Sequence, residues 1–348
     1  MNYYINWDEE FPKHCVRYYG WFPAAKSYKK LLGDKDIKYF TLCAGEALDI
    51  FTFERGGILS RDKQRKLPNV VICERNRRLA GQIYRLVRPP LKEAIIWNDI
   101  RSLLLFSEER VREKKAEIES MPGEISAEKS SEYRGLLRAK DQLERLKRIF
   151  PFDIVNFDPC GSMLDTSFGE NDLYKSFAKF FEYQLEATSF LLFLTTEFYG
   201  INEDNDPIFG TAFNDNVTQH NEIREALQTF CEADSYETIK EERKKNYLGF
   251  LKAAILPAAL DLGWHAKHQG VFVYENSHRN PMMSSIIEFY RENEVRQSEE
   301  SIDDILNVIK KWPSFISWDE GENDKKARAD LEAVKKYREA VRNEFRTS

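Results

Sequence analysis

The sequence has little cysteine: Cys15, Cys43, Cys73, Cys160 and Cys231 make five in 348 residues, an odd set with no C-x-x-C pair. That excludes a disulfide framework and a ribbon-type zinc site, and it fits a reducing compartment. An apolar leader is lacking too, because MNYYINWDEEFPKH carries charges where the centre of a signal peptide would lie. The most apolar long stretch, YLGFLKAAILPAALDLGW, is broken by Lys252, Pro257 and Asp261, so no membrane span is predicted and a cytoplasmic location is expected. Nor is basic charge in excess. Lys plus Arg number 52 against 58 Asp plus Glu, a net charge of −6. A uniformly basic nucleic-acid binder is excluded, and any such contact must be confined to one face.

What the chain does have is length enough for one large core or two modest ones, with 42% hydrophobic residues. Its clearest pattern is a series of short apolar runs, KYFTLC, NVVICE, EAIIWND, FDIVNFD and SFLLFLTT. Such runs read as parallel strands buried on both faces. EALDIFTFERGGIL separates the first two, and RRLAGQIYRLV follows the second with Leu79, Ile83 and Leu86 at helical spacing. The β-α-β-α-β order predicts an α/β fold, a Rossmann-like doubly wound and mostly parallel sheet.

Three departures from that frame are expected. A charged segment at 102–148, with Leu136, Ala139, Leu143, Leu146 and Phe150 stepping by three and four and a break at Pro122 and Gly123, reads as a helical hairpin insertion. It is either a solvated arm or a binding arm for a protein partner or a substrate. Residues 201–246 are polar and follow a strand's carboxyl end, so they read as a lid or as a plain surface excursion. WHAKHQGVFVYEN and PMMSSIIEFYREN, joined by SHRN, predict a terminal antiparallel strand pair, and helices at about 298–312 and 322–346 close the chain. The expected organisation is an N-terminal aromatic and basic segment at 1–36, a main domain at 37–296 and C-terminal helices at 297–348.

The chemistry is expected where the strands end. Cys43-Ala44-Gly45-Glu46, Glu74-Arg75-Asn76, Asn98-Asp99-Ile100 and Asn156-Phe157-Asp158-Pro159-Cys160-Gly161 follow four successive strands. In an open doubly wound sheet these turns share one edge, which borders the ligand crevice. A nucleoside suits them. Gly45 permits close backbone approach, Glu74 can accept hydrogen bonds from a ribose diol, and Asp99 can accept from an adenine amino group. The G-x-G-x-x-G fingerprint is absent, so a ligand with ribose and base but no pyrophosphate is favoured. The cysteines at strand ends read as small residues rather than a metal cluster, and His265 and His268, an odd number apart on one strand, face opposite sides. No metal site is expected. At the N-terminus, KHCVRYYGWFPAAK sets Lys13, Arg17 and Lys26 among Tyr18, Tyr19, Trp21 and Phe22. It reads either as an aromatic segment packed on the sheet or as a holder of a nucleic-acid strand or a ligand carboxylate.

In order and spacing, residues from about Lys38 to Glu292 resemble the class I S-adenosylmethionine-dependent methyltransferases. FDIVNFDPCGSM followed by FLLFLTTEF is most similar to the tRNA guanine-N2 dimethyltransferases, with Asp158, Pro159, Gly161 and Ser162 matching and Cys160 and Met163 replacing an aromatic residue and a proline. The resemblance implies S-adenosylmethionine as cofactor, held by Cys43, Ala44, Gly45, Glu46, Glu74, Arg75, Asn98, Asp99 and Ile100. It implies catalytic roles for Asp158, Pro159 and Asn156 in methylating an exocyclic amine of a nucleic-acid base, DNA or RNA. A carboxylate and a backbone carbonyl accepting the amine's N–H bonds would aim its lone pair at the methyl group. Two other readings stand beside this one: a non-catalytic methyltransferase-like binding or assembly protein, and a small-molecule methyltransferase, which the acidic balance favours.

Overall fold

The structure, a computed structural model, describes residues 11–42, 47–87, 95–96, 99–106, 108–120, 127–158, 172–197, 217–218, 221–235, 238–239, 262–275, 281–291, 314–316 and 324–347. Its centre is one sheet with strands β1 (Tyr39–Thr41), β2 (Val70–Cys73), β3 (Ile95–Ile96), β4 (Ile154–Phe157), β5 (Ser189–Glu197), β6 (His265–Glu275), β7 (Pro281–Tyr290) and β8 (Ser314–Ile316). They lie in the order β3-β2-β1-β4-β5-β7-β6-β8. The first five run parallel, and the chain reverses its direction of travel across the sheet between β1 and β4, which pair from Tyr39 with Ile154 to Thr41 with Asn156. This is the Rossmann-like α/β fold expected from the apolar runs.

The expected antiparallel pair is β6 with β7, and its placement adds a detail. The later strand, β7, inserts beside β5 through nine residue pairs from Ser189–Tyr290 to Glu197–Met282, leaving β6 outside it. β8 then adds parallel to β6, from Phe272–Ser314 to Tyr274–Ile316. No apolar run announced β8, because three residues beside a proline and two tryptophans carry too little periodicity to read.

Helices cover both faces. On one lie α1 (Phe11–Val16), a π-helical turn (Arg17–Trp21), α2 (Phe22–Leu32), α3 (Leu48–Arg55), α4 (Arg77–Val87) and the last described helix, α10 (Lys325–Thr347). On the other are α5 (Ile100–Leu104), α7 (Ala127–Ile149), α8 (Asp172–Tyr183) and α9 (Asn221–Cys231). Strand alternation sorts the core between them. Tyr39, Val70, Ile72, Ile154, Leu191 and Phe193 belong to the first layer, and Phe40, Val71, Cys73, Val155, Phe157, Phe190 and Leu192 to the second. With both faces covered, the strands tolerate continuous apolar runs.

The charged insertion is a helix pair, α6 (Glu108–Glu119) with α7, whose cross-links Lys114–Glu132 and Lys140–Glu108, each 2.6 Å, set the two antiparallel. α6 has no buried residue. The last turns of α7 are different, since Ala139, Leu143 and Leu146 are buried in the second layer. The arm is therefore rooted in the core. Within 201–246, α9 places Ile223, Ala226 and Leu227 in that same layer, while residues 201–216 and 240–246 lie outside the described residues, as does the helix expected at 298–312. α10 packs against α1, α3 and α4, so the first and last described helices share one face of the sheet. Among the described residues no helix is long and apolar enough to cross a membrane.

Candidate functional site

The parallel register carries the carboxyl ends of β1, β2 and β4 to the same sheet edge. Cys43, Ala44, Gly45, Glu46, Asn98 and Pro159 lie outside the described residues. Six of the expected residues are described, and they fall into two groups.

The first group surrounds the end of β2. The Glu74 backbone N–H donates to the Ile96 carbonyl at 2.9 Å, continuing the ladder one residue past the strand, and its Oε1 accepts the Asn76 N–H at 2.7 Å. Arg75 is exposed in the turn. Asn76 caps α4, its Oδ1 accepting from the N–H groups of Arg78 and Leu79 at 2.9 and 3.2 Å. Burial raises the Glu74 carboxyl above its ordinary pKa of 4.5, against the opposing pull of the Asn76 N–H and Arg75. Asp99 opens α5, its carbonyl accepting from the Leu103 N–H at 3.1 Å, and Ile100 is buried behind it. Cys73 is the point where these meet. Its thiol pKa is pushed up by burial first and then by Asp99 and Glu74, so both carboxylates act on one buried sulfur. Of the expected ribose and base acceptors, the structure thus brings Glu74 and Asp99 together.

The second group surrounds the end of β4. Asn156 is only 2% exposed, and its amide donates to Thr41 Oγ1 at 3.2 Å and Asp49 Oδ2 at 3.1 Å. That same Asp49 oxygen accepts the hydroxyls of Tyr39 at 2.6 Å and Thr41 at 2.7 Å. Asp49 sits in the first turn of α3, where a carboxylate also complements the helix dipole. Asn156 therefore fastens β4 to β1 and α3. Two residues on, and so on the same side of the strand, Asp158 forms an ion pair with Lys13 of α1, both side chains being 10% exposed.

Neither Asp49 nor the Lys13–Asp158 pair was anticipated. A single carboxylate inside the otherwise apolar ALDIFTF was the available signal for Asp49. Lys13 comes from the segment read as aromatic packing or as a ligand holder. Trp21 takes the packing role, stacked on Phe193 at 5.3 Å with its indole N–H donating to Ser284 Oγ at 3.0 Å. Tyr28, also buried, shares a hydrogen bond with Ser189 at 2.8 Å. α1 is pinned from outside by α10. Arg328 lies 4.6 Å over the Phe11 ring, and Asp330 Oδ2 is 3.3 Å from His14 Nε2. The helix holding Lys13 is fixed between α10 and β6, and its ammonium pairs with Asp158 at the end of β4.

A family model described as PP_RS20740-like matches residues 137–286, a span that includes β4 and Asp158 but neither Glu74 nor Asp99. No curated protein and no solved structure matches the chain.

Proposed function

We propose that this chain transfers a methyl group from S-adenosylmethionine to an exocyclic amine, in a nucleic-acid base. The observation that carries the reading is the meeting of three strand ends at the point where the sheet order reverses, with Glu74 after β2 and Asp158 after β4. Open α/β sheets bind ligands at that place. The reversed β7 between β5 and β6 departs from the six-strand dinucleotide-binding order and suits the methyltransferase core that the sequence resembles.

Glu74 and Asp99 fit the nucleoside part of the cofactor. Glu74 is anchored at Oε1 by the turn that follows it, which leaves Oε2 as the acceptor for a ribose hydroxyl. Asp99, which like Glu74 acts on Cys73, would accept from the adenine amino group. When bound there, the cofactor supplies an electrophilic sulfonium methyl and leaves as the neutral thioether. Asp158 would hold one N–H of the acceptor amine, turn the nitrogen lone pair toward the methyl and receive the proton that the new N–CH3 group gives up. Asn156, through Asp49, fixes the strand end from which Asp158 projects.

Calorimetry and single-turnover transfer test the assignment. Glu74→Ala should weaken cofactor binding by about 1.5–3 kcal/mol. Asp158→Ala should leave that affinity nearly unchanged and lower the transfer rate, as expected of a contact felt mainly in the transition state. Full activity in Asp158→Ala rejects its role. The rival reading, a binding or assembly protein without catalysis, draws on the Lys13 ion pair, which occupies the carboxylate from within the fold.

A further inference from the structure

The ion pair at the end of β4 is an unusual element to find beside a strand-end crevice. Desolvating two charges costs about as much as their attraction returns, so such a pair is poor evidence of a stability device. Its partners come from distant places, α1 and the turn after β4, and α1 is itself held by Phe11–Arg328 and His14–Asp330 contacts to α10. The fold therefore presents a hydrogen-bond donor and an acceptor side by side, both 10% exposed, where the acceptor amine is to be held.

The geometry points to Lys13 and Asp158 as a joint reader of the methyl acceptor: Asp158 takes the exocyclic N–H while the Lys13 ammonium donates to an unprotonated ring nitrogen next to it. This deepens the function proposed above and rests on it. The pair matches an amidine edge, an amino group beside a bare ring nitrogen, which adenine and cytosine present on their Watson–Crick edges. Guanine presents its amino group beside a protonated ring nitrogen, so its edge offers two donors and sets an N–H against the ammonium. Its unprotonated N3 lies on the other flank, beside the sugar. Adenine or cytosine is thus the substrate class, in contrast to the guanine-N2 enzymes that the motif after β4 resembles.

The test uses the full chain with labelled S-adenosylmethionine. The probes are uridine-rich RNA and thymidine-rich DNA oligomers in which adenine, cytosine or guanine is the sole base with an exocyclic amine. Transfer to an adenine or cytosine oligomer should exceed transfer to guanine by about tenfold or more. Lys13→Gln should lower that transfer by about tenfold while leaving cofactor affinity within about twofold; Lys13→Arg, which keeps a donor, should restore most of it. If Lys13→Gln does not fold, the selectivity of the unaltered chain and the Lys13→Arg rates decide. Equal transfer to guanine, or a folded Lys13→Gln protein with unchanged rate and selectivity, overturns the inference and spares the methyltransferase reading. Cofactor binding without transfer to adenine or cytosine oligomers does the same. Absence of cofactor binding overturns both.

Discussion

The two faces of the sheet use ring packing and buried hydrogen bonds in different proportions. On the α8 side, Phe180 is ringed by Phe40, Phe150, Phe152 and Phe157 with centroids 5.0 to 6.4 Å away, an assembly of mainly tilted and edge-on rings. On the α3 side the cross-links are directional. Tyr39, Thr41 and Asn156 converge on Asp49, while Trp21 and Thr195 both donate to Ser284 at 3.0 and 3.1 Å. Ring packing fills volume and forgives small rotations, whereas a buried hydrogen bond demands alignment. The face with the directional contacts is the one that carries Asn156 and Asp158, so alignment is enforced where the proposed chemistry needs it.

Mutations break the comparison in descending order of effect. Phe180→Ala should cost about 3–5 kcal/mol in urea unfolding, the loss of a fully buried ring and the void it leaves. Asp49→Asn keeps the volume but replaces a charged acceptor by an amide that has its own donors to place, and should cost about 2–3 kcal/mol. A cost near zero would mean that apolar packing alone holds that face.

Acid should separate the faces further. His14 is fully buried on the α3 side, and its pKa is lowered from 6.5 by that burial, with Asp330 opposing and Arg17 reinforcing the shift. Below pH 6.5 the unfolded chain takes up a proton that the native imidazole resists, so stability present above that pH is lost as pH falls toward the lowered value. Asp330 acts in a lower window. Burial raises its pKa, but His14 and Arg55 bring it net below 3.8, so its contribution disappears only as pH falls through that region. In His14→Gln the loss just below pH 6.5 should vanish, as melting curves between pH 5 and 7 would show.

The smallest effect is expected in the outer arm, where the described cross-links between α6 and α7 are ion pairs at the surface. Among the described side chains, replacing residues 112–136 by a short Gly-Ser turn removes only exposed and half-buried positions of α6 and α7, and should change stability by less than about 0.5 kcal/mol. Extending the excision to residue 147 removes Leu143 and Leu146 and should unfold the protein. Circular dichroism distinguishes the two.

The aromatic face was legible in advance, because apolar runs announce buried strands and Leu143 and Leu146 repeat at helical spacing. β1 to β4, β6 and β7 fall within the runs that predicted them, and β5 extends one residue past its run to Glu197. The polar face was not legible. Thr41 and Asn156 fall in apolar runs that read as buried strands, but their convergence on Asp49 depends on the pairing of β1 with β4 and the docking of α3, a meeting that no local pattern encodes. Arg17 and His14 are almost fully buried, which agrees with the packing alternative for their segment, though the residues they meet are not legible from it. Of the candidate site, Glu74 and Asp99 followed from strand ends alone, but Lys13 depends on where α1 docks.

The insertion of β7 beside β5 also sets a timetable. As the chain leaves the ribosome, β5 is complete at residue 197, yet the strand that hydrogen-bonds to its far side is not complete until residue 290. α10, which helps cover α3 and α4, ends at residue 347. Between residues 197 and 290 the nascent chain carries an open strand edge, and until α10 is made an uncovered helical face, both adhesive to other chains. A chaperone that binds open strand edges should hold the chain from the emergence of Glu197, and release should follow the emergence of Tyr290.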